Sequence, residues 1–219
     1  MNTEFPAGHT GRMIVLEPVL EVVPPEGFAL WPVAGIERFG LLALGGGLTE
    51  DEIGTAVLGI AAYNHDAGDP HPPTDPLGAF LHGLITVDEP LAAGGLRVTD
   101  ATAGVTLVPG CCTGLEDRRD WYGVLDGGYG FFGHEPSPSA ERHGDTVRLT
   151  VDTDLRDSPV IELPAATLRE LLAGAERDLT AFLGLVTAWA ARHLPEHADP
   201  VVSAIARALD LPVREPTAP

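Results

Sequence analysis

The sequence predicts an α+β protein, mainly antiparallel sheet with a C-terminal helical hairpin packed on it. Two patterns and their order carry that expectation. Thr146-Val-Arg-Leu-Thr-Val-Asp152 places Val147, Leu149 and Val151 on one face, the period of a half-buried antiparallel strand. From Pro164 the period becomes helical: Leu168, Leu171, Leu172, Ala175, Leu179, Phe182, Leu183, Val186 and Ala190 form one apolar stripe, while Arg169, Glu176, Arg177 and Asp178 sit elsewhere. Strands come first and the helical pair last, which is not the repeating order of a parallel βαβ sheet.

The remaining elements follow in chain order. Arg12-Met-Ile-Val-Leu-Glu17 has the length and apolar content of a strand, Phe28-Ala-Leu-Trp-Pro32 reads as a second behind Pro24-Pro25, and residues 36–44 as a third closed by Gly45-Gly-Gly47. Thr49 stands three residues before Glu52, the spacing of a capping box, and predicts a helix from Glu50 to Tyr63 with Ile53, Val57, Ile60 and Ala61 facing a core. The run from Asn64 to Pro76 is a proline-stiffened loop; its His65, Asp66, Asp69, His71 and Asp75 lack the spacing of a calcium or zinc motif. A short helix is expected at residues 77–84 and strands and turns at 85–109. Val160-Ile-Glu-Leu163 is a further strand, and Asp199-Pro200 predicts the cap and first turn of a last helix running to about Leu209. A length of 219 residues suits a single domain; the first 100 residues could form a lobe, with the hairpin over 164–211.

Composition narrows the function classes. Thirteen arginines, no lysine and 32 acids give a net charge of −19. Residues 1–163 carry −17 of it and residues 164–219 only −2. Such a field opposes direct contact with nucleic acid or an anionic membrane and speeds encounter with a basic partner. No apolar run is long enough to span a bilayer and the first residues lack the pattern of a secretory signal, so the expected location is cytoplasmic. Gly45-Gly-Gly47 is not followed by lysine and no Gly-x-Ser-x-Gly occurs, which removes the phosphate-loop and serine-hydrolase signatures.

The densest chemistry lies in Val108-Pro-Gly-Cys-Cys-Thr-Gly-Leu-Glu-Asp-Arg-Arg-Asp-Trp-Tyr-Gly123 and Gly133-His-Glu-Pro136. Thr113 and Glu116 have capping-box spacing, predicting a short helix to Leu125 that stops at Asp126-Gly-Gly128. Glu116, Asp117, Asp120, Trp121, Tyr122 and His134 are the candidate binding residues, with indole and phenol as interface anchors. Cys111 and Cys112 are candidate reactive thiols, read otherwise as small buried apolar residues; consecutive side chains in extended backbone diverge, and a bond between neighbours strains the peptide. No metal or cofactor is expected.

The words Pro-Gly-Cys-Cys, Gly-Leu-Glu-Asp, Asp-Trp and Gly-His-Glu-Pro-Ser-Pro within residues 108–138 resemble a block that recurs in uncharacterised proteins of high-GC actinomycetes. The resemblance implies an actinomycete source and transfers no catalytic role. The leading expectation is an acidic protein-binding module for a basic partner, in its sharpest form a toxin-neutralising immunity protein. The rival is a small enzyme or metal-dependent binder that uses Cys111 or Cys112 with His134 and Glu116. A third reading makes the last helical pair an interaction face and requires an exposed apolar stripe over Leu171 to Val186.

Overall fold

In a computed structural model, residues 13–65 and 73–212 are described. The first strand, β1 (Ile14–Val22), pairs antiparallel with β2 (Gly40–Ala43) on one side and with β3 (Gly94–Asp100) on the other. The short β4 (Val105–Leu107) extends the sheet to the order β2-β1-β3-β4. A second four-stranded sheet is a meander of β5 (Tyr129–Phe131), β6 (Ser139–His143), β7 (Thr146–Thr150) and β8 (Val160–Pro164) in chain order. Five α-helices accompany them among the described residues: α1 (Glu50–Tyr63), α2 (Pro76–Thr86), α3 (Asp120–Leu125), α4 (Ala165–His193) and α5 (Ala198–Ala208). The fold is therefore α+β and antiparallel, as the sequence predicts, with two sheets rather than one.

Local rules account for most elements. The Thr49 hydroxyl accepts the Glu52 N–H at 3.3 Å while the Glu52 carboxylate accepts the Thr49 N–H at 2.8 Å, so the expected capping box starts α1. Asp75 caps α2 through the Gly78 N–H at 2.6 Å, with Pro76 in its first turn. Asp66, Asp69 and His71 of the acidic loop lie outside the described residues. In β7, Val147 and Leu149 face inward, and on the opposite face Arg148 stands beside Glu162 of β8 at 3.7 Å. Helix α5 begins at Ala198, so Asp199 lies inside its first turn instead of capping it.

Phe28–Pro32 is not a strand. Pro24, Pro25 and Pro32 cannot donate to a ladder; Phe28 and Trp31 pack inward while Ala29, Leu30 and Pro32 are exposed. The Trp31 indole donates to the Gly54 carbonyl at 2.8 Å, and its ring meets that of Trp189 edge-on at 5.6 Å. Gly54 makes this approach workable, since a Cβ there would collide with the Pro32 carbonyl and lie 3.1 Å from the Trp31 ring.

Two apolar clusters form the interior. One joins Leu20 and Val22 of β1 to α1, α2, α5 and the second half of α4. The other joins Leu16, Leu96 and Val98 to α3, the inner face of the second sheet and the first half of α4. They do not divide the chain at residue 100, because β1 feeds both. The 29-residue α4 also crosses both, with Leu168, Leu172 and Ala175 in one and Leu179, Phe182 and Val186 in the other. The stripe over Leu171 to Val186 is therefore covered, which removes the reading of the last helical pair as an open interaction face. No helix among the described residues is long and apolar enough to cross a membrane.

Candidate functional site

The cysteine loop is fastened to the segment after β5. Gly110 donates to the Phe132 carbonyl at 2.8 Å, Cys111 donates to the His134 carbonyl at 2.7 Å, and the His134 N–H returns to the Cys111 carbonyl at 3.3 Å. The strands of chain are so close that a Cβ on Gly110 would stand 2.6 Å from the His134 nitrogen. The Thr113 hydroxyl donates to the carbonyls of Gly94 at 3.0 Å and Gly110 at 2.9 Å, tying the loop to β3. That engagement displaces the expected cap by one residue. The helical segment starts after Gly114, whose N–H reaches the Asp117 carboxylate at 3.1 Å, and runs as a 3-10 turn over Leu115–Arg119 into α3.

The candidate residues then separate into two groups. The first surrounds Arg118, only 4% exposed. Its guanidinium makes five hydrogen bonds: Nε to Glu176 Oε1 at 2.9 Å, Nη2 to Glu176 Oε2 at 3.1 Å and to the Asp210 carbonyl at 3.1 Å, and Nη1 to the carbonyls of Leu115 at 2.9 Å and Leu209 at 2.7 Å. All of its donors are used, as a buried charge requires. One side chain thus joins the 3-10 turn, the middle of α4 and the residues that end α5. Arg119 adds an ion pair to the Asp210 carboxylate.

Glu116 and Tyr122 border this hub. Burial pushes the Glu116 carboxyl above its usual range, opposed by a hydrogen bond from its own backbone and reinforced by the adjacent Asp117. Its Oε2 is buried without a hydrogen-bond partner. The Tyr122 phenol is pushed up by burial and then by Glu176, while Asp120 is exposed at the start of α3. Trp121 is not the interface anchor that its neighbours suggest. It is 2% exposed and stacks on Phe132 with ring centres 4.1 Å apart, because α3 turns that face onto the second sheet. A cavity of ≈ 10 Å³ beside Arg118 and Trp121 has room for about one water.

The second group is the thiol corner. Cys111 and Cys112 are free and exposed, which overturns their reading as small buried apolar residues. They also do not diverge. Cys112 has φ +66°, a left-handed conformation that is uncommon outside glycine, and it brings the sulfurs to 3.1 Å. Divergence holds for extended backbone, and this backbone is not extended. The neighbouring Cys112 sulfur, through hydrogen bonding and then charge, raises the Cys111 thiol above its ordinary range. The His134 ring meets Phe131 edge-on at 5.9 Å, and its backbone rather than its imidazole holds Cys111. Glu116 interacts instead with Asp117, Arg118 and Asp210.

Two residues missed in the sequence complete the surface. Tyr129 and Phe131, 61% and 45% exposed, flank buried Gly130 on β5, which is an edge strand. Across β6 they face Glu141 and Ser139, so the outward side of this sheet carries aromatic rings beside Glu141, Arg148 and Glu162. The alternation Tyr-Gly-Phe was the available signal, masked by the glycine run that precedes it. Among the described residues no three His, Cys, Asp or Glu side chains gather as metal ligands; His65 stacks on Phe80 at 5.9 Å and Asp75 serves as a cap. Comparison with protein-family models, with curated proteins and with solved structures matches the chain to none of them.

Proposed function

We propose that this protein is an acidic binding module that captures a basic protein partner through the edge of its second sheet. The observation that carries the reading is the pair of exposed aromatics on β5, Tyr129 and Phe131, set next to Glu141 on a chain of net charge −19. Large exposed rings beside charged groups are the composition of interface hot spots. The negative field would raise the encounter rate with a positive surface. A toxin-neutralising immunity role in an actinomycete is the sharpest version, with Asp120, Tyr122 and His134 as further contact candidates. Trp121 drops out of that set through its burial, and Glu116 and Asp117 belong to the rim of the Arg118 hub.

The rival, a small enzyme or metal-dependent binder using Cys111 or Cys112 with His134 and Glu116, draws less support. Rapid catalysis at neutral pH calls for a lowered thiol pKa, whereas that of Cys111 is raised and leaves room only for slower stoichiometric exchange, and Glu116 keeps company with Asp117, Arg118 and Asp210.

The test is association kinetics between the purified protein and basic proteins encoded by its neighbouring genes, at low and at high salt. Binding whose on-rate falls with salt, and which weakens at least tenfold in Tyr129→Ala/Phe131→Ala, is expected. No binding, or binding indifferent to both salt and the double substitution, would refute the proposal.

A further inference from the structure

We propose that Cys111 and Cys112 form a two-electron redox site that a low-molecular-weight disulfide converts into a disulfide between adjacent residues. Three independent features place the reactants together. Both thiols are exposed, so a small disulfide can reach them. Their sulfurs are already 3.1 Å apart and in contact with each other. The loop that carries them is held in place, because Cys111 exchanges two backbone hydrogen bonds with His134, and Gly110 packs where no Cβ would fit. The left-handed backbone at Cys112, φ +66°, is the unusual conformation that sets this geometry.

The reaction is thiol–disulfide exchange in two steps. One cysteine thiolate attacks a sulfur of glutathione disulfide, forming a mixed disulfide and releasing one glutathione thiolate. The neighbouring cysteine, deprotonated in turn, attacks the protein sulfur of that mixed disulfide and expels the second glutathione. In sum, two protein thiols and one glutathione disulfide give one protein disulfide and two glutathione thiols. The protein is oxidised by two electrons and glutathione disulfide is reduced by two.

The same geometry determines the character of the product. Consecutive Cα atoms are about 3.8 Å apart across a trans peptide, closer than in ordinary disulfides, so the bond is strained and readily reduced. A structural crosslink resists the glutathione pool, whereas a strained, exposed one answers to it. The site therefore suits reversible oxidation rather than stabilisation of the fold.

The experiment uses the reduced full chain, incubated with glutathione disulfide, quenched by alkylation and weighed intact. The expected result is loss of both alkylatable thiols with a mass two hydrogens lower, as a monomer, reversed by dithiothreitol. Cys111→Ser and Cys112→Ser, which remove no buried side chain, should each stop at the mixed disulfide with glutathione. Circular dichroism melting of both variants, expected within a few degrees of the parent, confirms that they fold. Retention of two free thiols in the parent, a stable glutathione adduct on it, or an intermolecular dimer would each overturn the proposal.

Discussion

Arg118 offers the most demanding test of how this molecule is held together. Replacement by methionine preserves most of the stem's packing and removes five donors at once. The Leu115 and Leu209 carbonyls lose bonds in buried surroundings, at roughly 1.5–2 kcal/mol each. The partly buried Asp210 carbonyl and the Glu176 carboxylate contribute less, since Glu176 is 36% exposed and water can replace its partner. The total is about 4 kcal/mol, inside the range found when one member of a buried charge pair is deleted. For a chain of this size that is roughly an 8–16 °C fall in melting temperature. Urea unfolding at 25 °C of the parent, Arg118→Met and Glu176→Gln measures it. Glu176→Gln leaves the three carbonyl bonds in place and is expected to cost only about 1 kcal/mol. An Arg118→Met loss under about 1 kcal/mol, or equal losses in the two variants, would show that the carbonyl bonds do not carry the stabilisation assigned to them.

Three further outcomes follow from the same packing. Trp121→Ala should cost about 3–5 kcal/mol in urea unfolding and Tyr122→Ala about 1 kcal/mol or less, because only the first ring is enclosed; the opposite order would place the indole at the surface. Glu116→Gln should raise the melting temperature at pH 7.5 and leave it unchanged below about pH 4. The folded-state pKa of Glu116 is raised, so its favourable contribution is complete below the unfolded pKa and is lost as pH rises through the folded one; a gain that persists in acid would contradict this. Tyr129→Ala/Phe131→Ala should leave the urea midpoint nearly unchanged while impairing partner capture, since both rings are exposed; a large drop in midpoint would make them structural.

Local signals were legible and distant ones were not. The Thr49 and Glu52 pair, the alternation of Val147 and Leu149, and the stripe from Leu168 to Ala190 each report on neighbours within a turn or a pleat, and those elements form where the pattern puts them. Phe28–Pro32 looked like a strand because Phe, Leu and Trp are apolar, yet apolar content says nothing of which donors a ladder would find. Arg118 carries no local mark, since its partners Glu176, Leu209 and Asp210 stand 58 to 92 residues away in the chain. The cysteine pair departs from the sequence expectation for a different reason. Extended backbone is a fair assumption for an isolated dipeptide, and the two hydrogen bonds to His134 that accompany the left-handed turn at Cys112 come from a separate segment.

The crossing of both apolar clusters by α4 bears on how the protein loses its structure. Its 29 residues span about 43 Å as one hydrogen-bonded rod, with no proline inside to act as a break and with its two glycines, Gly174 and Gly184, well apart. Melting either cluster strips one half of the rod of its cover, and an uncovered helical half is only marginally stable in water. Between the halves, Glu176 holds the Arg118 clamp, so slack in one is transmitted to the other. Two interiors sharing one wall behave as a single cooperative unit: calorimetry should record one heat-absorption peak, and the amides of Ala175 to Leu179 should exchange with solvent only through global unfolding.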